Sequence, residues 1–426
     1  TESSRAQFST VKGVYSTGAV TAKNAAIFVK SDGYLTMDSL AFAEDDSLRI
    51  DGTLTVKGNL TSASDAMAVL DNFGELTVEG DTTLNGSLTN HSNAYASLRK
   101  TSVNGTLTNA ANAYLEANDL TVRGQLVNFG QIEASDTSSV FGVLTNNGTI
   151  RLYDTEVGNR GSINNTYTLT HTGTLTVNGK LSNAKGAQAN FGTIAVGDQA
   201  SLTNRGSMIV EAINGSAGTM NVTNAGKLTV DAVTAEGSAV LDNAGTLITS
   251  DISSTGGLLS LKNSGTLTAE AVSAAAAGSA IENSGTLRVN DITFNADNTV
   301  VTNTGDLTSD NLLLKGASAV DNRKTMTVGD ISVDNAVLTL LNAGTLTASM
   351  VSGLAEGSSL TNSGTFTVTS LALSSDNSAL SNFGTFNADV LNVSAGASVT
   401  NGTIPVGRIA VYAASGATQI VHEFNL

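Results

Sequence analysis

The chain has 426 residues, with 43 Gly, one Pro, no Cys and no Trp, and only 14% of its residues are charged. The absence of Cys excludes thiol catalysis, disulfides and cysteine zinc sites. A composition rich in Thr, Ser, Asn, Gly and Val predicts strands and turns. The 37 acidic and 21 basic residues give a net charge of −16. Because a negatively charged protein surface repels the phosphate backbone of DNA and RNA, we expect no nucleic-acid partner.

Residues 1–13 do not fit the pattern that follows them, and we expect an N-terminal cap or strand there. From residue 14 to 404 the chain repeats. The triplet aliphatic-x-Asn occurs eighteen times, from Leu70-Asp71-Asn72 to Val399-Thr400-Asn401, with successive Asn 18 to 21 residues apart. Weaker versions of the same register precede residue 70, which brings the total to about 21 units. Such a period is typical of a solenoid.

Within one unit the apolar residues alternate with polar ones, which is the pattern of strands that bury one face. Three short strands and three bends fit into about 20 residues, so each unit returns the chain above its start. The sequence therefore predicts an all-β fold, a parallel β-helix with three short strands per coil. About 21 coils at ~4.8 Å each would give a side surface roughly 100 Å long.

The recurring Asn is expected to be structural. Asn tolerates the left-handed backbone region and can bond locally, and stacked Asn side chains can pass hydrogen bonds from coil to coil. Gly follows two residues after the Asn in twelve of the eighteen cases. The ladder residues predicted with the most regular spacing are Asn224, Asn243, Asn263, Asn283, Asn303, Asn322, Asn342, Asn362 and Asn382.

Two tracts depart from the simple pattern. Residues 269–277 have a helix-forming, Ala-rich composition, but the Asn spacing around them is ordinary, so a β coil with small inward residues is expected. In residues 155–200 the repeat can be aligned in a second way, with other Asn and Gly residues at the bends, and we expect an irregular or bulged region there. Within this tract, His171 precedes Thr172-Gly173 and is interpreted as an exposed turn residue.

Acidic residues recur seven or eight positions after the Asn in successive units. Stacked carboxylates one coil apart would repel one another by about 1 kcal/mol in water, so counter-charge should collect beside them. One interpretation is a solvated bend with Asp side chains that cap backbone amides. The other is a weak metal site, a linear cation strip that binds Ca²⁺ loosely or contacts a basic partner. The residues concerned are Glu211, Asp231, Asp251, Glu270, Asp291, Asp310 and Asp330.

A Phe directly follows an Asn at four places, Phe73, Phe129, Phe191 and Phe383. A residue at a bend would be partly exposed and could dock a partner. Because the four are scattered along the chain, packing against neighbouring bends is the favoured interpretation.

No catalytic motif is present: the chain lacks a nucleophile elbow, a P-loop, a zinc-helix motif and the Gly-rich calcium repeat. No run of about 18 apolar residues occurs, so the array itself is not expected to span a membrane. The expectation is a protein without catalytic residues and without a cofactor, apart from weakly bound Ca²⁺. Residues 405–426 leave the repeat and are expected to form a C-terminal cap or a truncated continuation.

The coils that read Asn-Ser-Gly-Thr-Leu-Thr or Asn-Ala-Gly-Thr-Leu-Thr, such as residues 263–268 and 342–347, resemble the passenger domains of bacterial autotransporters. The resemblance covers roughly residues 14–404. It implies a right-handed β-helix shown at the bacterial cell surface or secreted, which mediates adhesion or self-association.

From the resemblance and the repeat together we expect a non-enzymatic adhesin or stalk. Its partner would be a host or bacterial surface glycan or protein, or a second copy of the chain. Two alternatives stay open: a glycan-binding or glycan-cleaving β-helix similar to tailspikes or polysaccharide lyases, and a fibre subunit that stacks end to end.

Overall fold

The computed structural model describes residues 6–10, 13–402 and 409–413, of which 6–10 and 409–413 are described by their backbone. All regular structure in these ranges is β-strand. In each unit the strands wind into a right-handed parallel β-helix, which confirms the predicted fold class; the turns total about 19–20, slightly fewer than the predicted 21. Among the described residues there is no helix with the length and apolar character needed to cross a membrane. The chain divides into two compact units, Thr1–Val210 and Glu211–Leu426.

Each coil consists of two parts. A short strand, which from residue 69 onward ends at the recurring Asn, pairs with its counterparts in the neighbouring coils, and these strands form what we call the ladder sheet. A longer strand follows, with a bend near its middle, and these strands form the bent sheet. The second and third strands of the predicted coil are therefore continuous in most coils, because parallel pairing persists through the bend. They separate in a few coils, as in β29 and β30, Thr246–Ile248 and Asp251–Ser254.

In the first unit the ladder sheet contains β1 Ala6–Thr10, β3 Ala25–Val29, β5 Ser47–Ile50, β8 Val69–Asn72, β10 Ser87–Asn90, β12 Thr106–Asn109, β14 Gln125–Asn128, β17 Val143–Asn146, β20 Ser162–Asn165, β22 Lys180–Asn183 and β24 Ser201–Asn204. Its bent sheet contains β2 Gly13–Ala22, β4 Gly33–Phe42, β6 Thr53–Val56, β7 Leu60–Ser62, β9 Glu75–Leu84, β11 Tyr95–Val103, β13 Tyr114–Val122, β15 Gln131–Ala134, β16 Ser138–Val140, β18 Thr149–Leu152, β19 Thr155–Val157, β21 Thr168–Val177 and β23 Gln188–Val196. Strand β25, Ser207–Gly215, contains the division between the units.

In the second unit the ladder sheet contains β26 Thr219–Asn224, β28 Ser238–Asn243, β31 Leu259–Asn263, β33 Ala280–Asn283, β35 Thr299–Asn303, β37 Ser318–Asn322, β39 Leu338–Asn342, β41 Ser359–Asn362, β43 Ala379–Asn382 and β45 Ser398–Asn401. Its bent sheet contains β27 Lys227–Ala235, β29 and β30, β32 Thr266–Ala274, β34 Thr286–Phe294, β36 Asp306–Leu314, β38 Thr325–Ala336, β40 Thr345–Leu354, β42 Thr365–Leu373, β44 Thr385–Val393 and β46 Ile409–Ala413.

The pairing register places like residues over like residues. Leu267 pairs with Leu287, which pairs with Leu307, and all three are buried. In the first unit Leu88 pairs with Leu107 in the same way. Each such side chain contributes about 1.5–3 kcal/mol when it leaves water, so the core of each unit consists of aliphatic columns that hold the coils together.

The two terminal segments are described only in part. Within the predicted N-terminal cap, β1 pairs in parallel with β3 and continues the ladder sheet. Within the predicted C-terminal segment, β46 pairs with β44. The remainder of residues 1–13 and 405–426, except Gly13, lies outside the described residues, and the two cap predictions are not decided there.

The first six residues of the Ala-rich tract lie in a strand, as expected from the Asn spacing, and residues 275–277 lie in the bend that follows. β32 runs through Ala269 and ends at Ala274, and both side chains are buried. In residues 155–200 the pairing register shifts between His171 and Thr174. Comparable shifts occur elsewhere, for example between Leu98 and Lys100, so irregular pairing is not confined to the tract where it was expected.

His171 is buried, and the interpretation of this residue as an exposed turn was wrong. Its side chain is 2% exposed and pairs with Leu152 on one side and Phe191 on the other. Neither ring nitrogen has a hydrogen-bond partner among the described residues. The neighbouring Asn165 and Asn183 hold the ladder register, which places His171 at an inward position of the bent sheet. Burial lowers the pKa of His171 to about 4, although the charge of Asp154 acts in the opposite direction.

The buried imidazole makes the first unit sensitive to acid. The unfolded chain takes up this proton near pH 6.5 and the folded chain only near pH 4, so stability is lost as the pH falls between these values and not further below them. The loss amounts to about 3 kcal/mol for this group. We expect His171→Leu to remove this part of the pH dependence, measured by urea unfolding at pH 7 and pH 4.5. His91→Gln, which leaves the buried ring in place, serves as the control; an unchanged pH dependence in His171→Leu would contradict the prediction.

The recurring Asn side chains form a hydrogen-bonded column in each unit. In the second unit each Asn from Asn224 to Asn362 donates its Nδ2 to the Oδ1 of the next one, up to Asn382, over 2.7–2.8 Å. The same Nδ2 reaches a backbone carbonyl of the following coil, such as Thr286 O for Asn263 at 2.9 Å. All nine residues predicted for the ladder lie in this column and are buried. An equivalent column connects Asn72 to Asn204 in the first unit.

Replacement of one ladder residue should destabilise the second unit. Asn283→Ala removes the donor to Asn303 (2.8 Å) and leaves that buried oxygen without its closest partner. The expected loss is about 2–4 kcal/mol, since buried polar groups are left unpaired and a cavity forms. Urea unfolding followed by circular dichroism measures it. The matched control is Asn290→Ala, at an exposed position of the adjoining strand, and an equal loss in both variants would refute the role of the ladder.

Candidate binding surface

The acidic residues predicted to form a cation strip lie on the surface, but six of them, from Asp231 to Asp330, occupy two adjacent columns. One column contains, in successive coils, Asp251, Ala271, Asp291, Asn311 and Asp330, each paired with the next. Asp231, Glu270 and Asp310 precede that column by one residue, and Glu211 is an exposed residue of β25. From Asp231 to Asp330, the acids of successive coils therefore alternate between the two columns and do not stack directly.

This alternation limits what the acids can bind together. The Asp291 Oδ1 accepts a hydrogen bond of 2.7 Å from the Nδ2 of Asn311 in the next coil. No group of three or more His, Asp or Glu side chains with the geometry of a metal site occurs among the described residues. The arrangement suits separate, hydrated carboxylates with partial compensation by neighbouring amides.

The Phe residues at bends fall into two groups. Phe73 packs against its surroundings: its ring stacks on His91 with centroids 3.7 Å apart, and the guanidinium of Arg49 lies 4.4 Å from its centre. Phe191 is buried in the bent sheet beside His171. Phe129 and Phe383 are 50% and 51% exposed. The expectation of packing against neighbouring bends therefore holds for part of the set.

Phe129 belongs to an open depression on the first unit, with a volume of about 500 Å³. Tyr114 lies on one side of it and Tyr167, which is 59% exposed, on the other. Gly130 and Gly148 lie between them and have no side chain to fill the space. We call these three aromatic residues, together with the surface between them, the aromatic depression.

The two glycines cannot be replaced without disturbance. They occupy the position just before the bent strand, where the next coil has Tyr167. A Cβ atom on Gly130 would clash with the carbonyl oxygen of Ala113, and one on Gly148 with that of Gly130. Because neighbouring bends are in close contact, only Gly fits at these two positions, and the space over them stays free of side chains.

Tyr114 and Tyr95, the Tyr stacked on it in the preceding coil, are held in place by carboxylates. The Tyr95 hydroxyl donates to Glu116 Oε2 at 2.8 Å, and the Tyr114 hydroxyl donates to Glu133 Oε2 at 3.0 Å. The two phenol rings are nearly parallel, with centroids 5.8 Å apart. Burial, followed by the bond to Glu133, raises the pKa of Tyr114 to about 12, and burial, followed by the bond to Glu116, raises the pKa of Tyr95. Both phenols are therefore protonated donors at neutral pH.

The sequence interpretation did not identify this surface, although a signal was present. Tyr95 and Tyr114 are 19 residues apart, as are Asn90 and Asn109 which precede them, so the repeat alone predicts that the two rings stack. The stacking of these rings is not enough to predict the depression, which also depends on which bends have Gly in place of a side chain and on the position of Tyr167.

A second open depression, on the second unit, is polar. Lys262 and Glu282 lie in adjacent coils with 3.5 Å between Nζ and Oε2, beside Asp242, Thr302 and Thr304. It contains no aromatic side chain. Its exposed ion pair is worth little on its own.

The alternating acids lead to a specific expectation for Ca²⁺. Because Ca²⁺ takes six to eight oxygen ligands and the carboxylates are staggered, a few millimolar CaCl₂ should raise the melting temperature no more than NaCl of equal ionic strength. Differential scanning fluorimetry measures this. A stabilisation specific to Ca²⁺ that disappears in Asp251→Asn/Asp291→Asn would instead support the cation strip.

Comparisons of the chain with protein-family models, with curated proteins and with solved structures find no match.

Proposed function

We propose that the chain is a non-enzymatic adhesin and stalk, the passenger part of a bacterial autotransporter, displayed at the cell surface or secreted. One observation carries the proposal: the described residues form a parallel β-helix whose coils repeat register for register and present polar side chains outward. Such a fold offers an extended side surface to a partner, on which weak contacts can add through multivalency.

The partner would be a surface glycan or protein of a host or a bacterium, or a second copy of the chain. The net charge of −16 opposes contact between copies. Because salt screens repulsion between exposed charges over about 10 Å at 0.1 M, self-association should strengthen as salt is added.

Beads coated with the purified chain test the proposal. We expect such beads to attach to cells or to clump, with clumping that increases from low to physiological salt. Beads coated with an unrelated acidic protein of similar size are the control. If neither attachment nor clumping exceeds the control at any salt concentration, the adhesive function is wrong.

A further inference from the structure

We propose that the aromatic depression is a binding site for a neutral saccharide, a hexopyranose unit of an uncharged oligosaccharide. This inference rests on the proposed adhesive function and names the class of ligand. It places the contact on the first unit, at Tyr114, Phe129 and Tyr167.

The ring faces supply the first part of the recognition. Phe129 and Tyr167 are half exposed although they are large and apolar, and they stand beside a gap of about 500 Å³. A pyranose ring carries C–H groups on one face that can cover an aromatic ring, and its hydroxyls point outward along the edge. Exposed aromatic rings beside polar groups therefore match a sugar better than they match a purely apolar ligand.

The polar groups beside the rings supply the second part. Gln131 and Thr149 line the depression, and the carboxylate of Glu133 accepts a hydrogen bond from the hydroxyl of the lining Tyr114. A carboxylate that accepts one bond from a phenol has oxygen lone pairs left to accept bonds from sugar hydroxyls. Since the Tyr114–Glu133 bond fixes these two groups in advance, they require little ordering on binding.

Charge and backbone pairing exclude other ligand classes. No Lys or Arg side chain lines the depression to pair with an anion, and the net charge is −16, so sialylated, uronic or phosphorylated sugars are disfavoured. An extended peptide cannot add as a further strand, because β13 already pairs with β11 on one side and with β15 and β16 on the other. A quaternary ammonium ion prefers an enclosed aromatic cage, whereas this depression is open and extends over successive coils.

Titration of the whole chain against neutral oligosaccharides of glucose, galactose and mannose tests the proposal. We expect at least one to bind in the millimolar range or tighter, and Phe129→Ala and Tyr167→Ala each to weaken that binding by about tenfold or more. Both side chains are exposed, so thermal melting of the variants should match that of the parent chain.

The chain contains a matched control for each variant. Phe383→Ala removes a Phe of equal exposure that follows a ladder Asn in the second unit, and Tyr153→Ala removes an exposed Tyr at a different bend of the first unit. Both should leave saccharide binding within about twofold.

Four results would overturn the inference: no binding to any of these oligosaccharides at about 10 mM, equal losses in variants and controls, stronger binding of acidic sugars, or binding of tetramethylammonium in their place. The bead assay separates this failure from failure of the proposed function. If the beads adhere and Phe129→Ala beads adhere equally well, the chain is an adhesin that binds elsewhere. If the beads do not adhere at all, the adhesive function itself is wrong.

Discussion

The column of Asn amides is the constraint on which the rest of each unit depends. A buried amide must find partners, and here each Asn satisfies its Nδ2 and Oδ1 with its equivalents one coil away and with the adjoining backbone, as Asn263 does with Asn283 and Thr286. A shift of one residue in the pairing would break every bond of the column and turn the aliphatic side chains outward. The column therefore sets the register, and the register places every other side chain.

Because the register follows from spacing, much of the fold could be predicted from the sequence. The Asn spacing correctly outweighed the helix-forming composition of the Ala-rich strand β32. For His171 the neighbouring Thr172 and Gly173 suggested a turn, and the spacing was not used. Counted from Asn165, His171 falls at an inward position, which is where it lies. The stagger of Asp251 and Glu270 was also missed, since a difference of one residue between coils changes which carboxylates can meet. The caps extend beyond the described residues.

The candidate binding surface was harder to predict, because it depends on a combination that no single repeat shows. Tyr114, Phe129 and Tyr167 occupy different positions in their coils, and they face one space only because Gly130 and Gly148 leave it empty. The repeat thus supplies a uniform scaffold, and the residues that depart from the repeat determine which side chains are exposed at a given place on its surface. In the first unit the departures are aromatic and acidic, whereas the depression on the second unit contains an exposed ion pair and hydroxyl groups.

The glycines at the bends also bear on how such a chain can change. A Cβ atom on Gly285 would clash with the carbonyl oxygen of Gly265, and one on Gly265 with that of Gly245, so single substitutions there disturb two neighbouring coils. Duplication or deletion of one complete repeat leaves each Gly above another Gly and each Leu above another Leu. Evolution of length by whole repeats is therefore far less costly than evolution within a bend, and related chains should differ by multiples of about 20 residues.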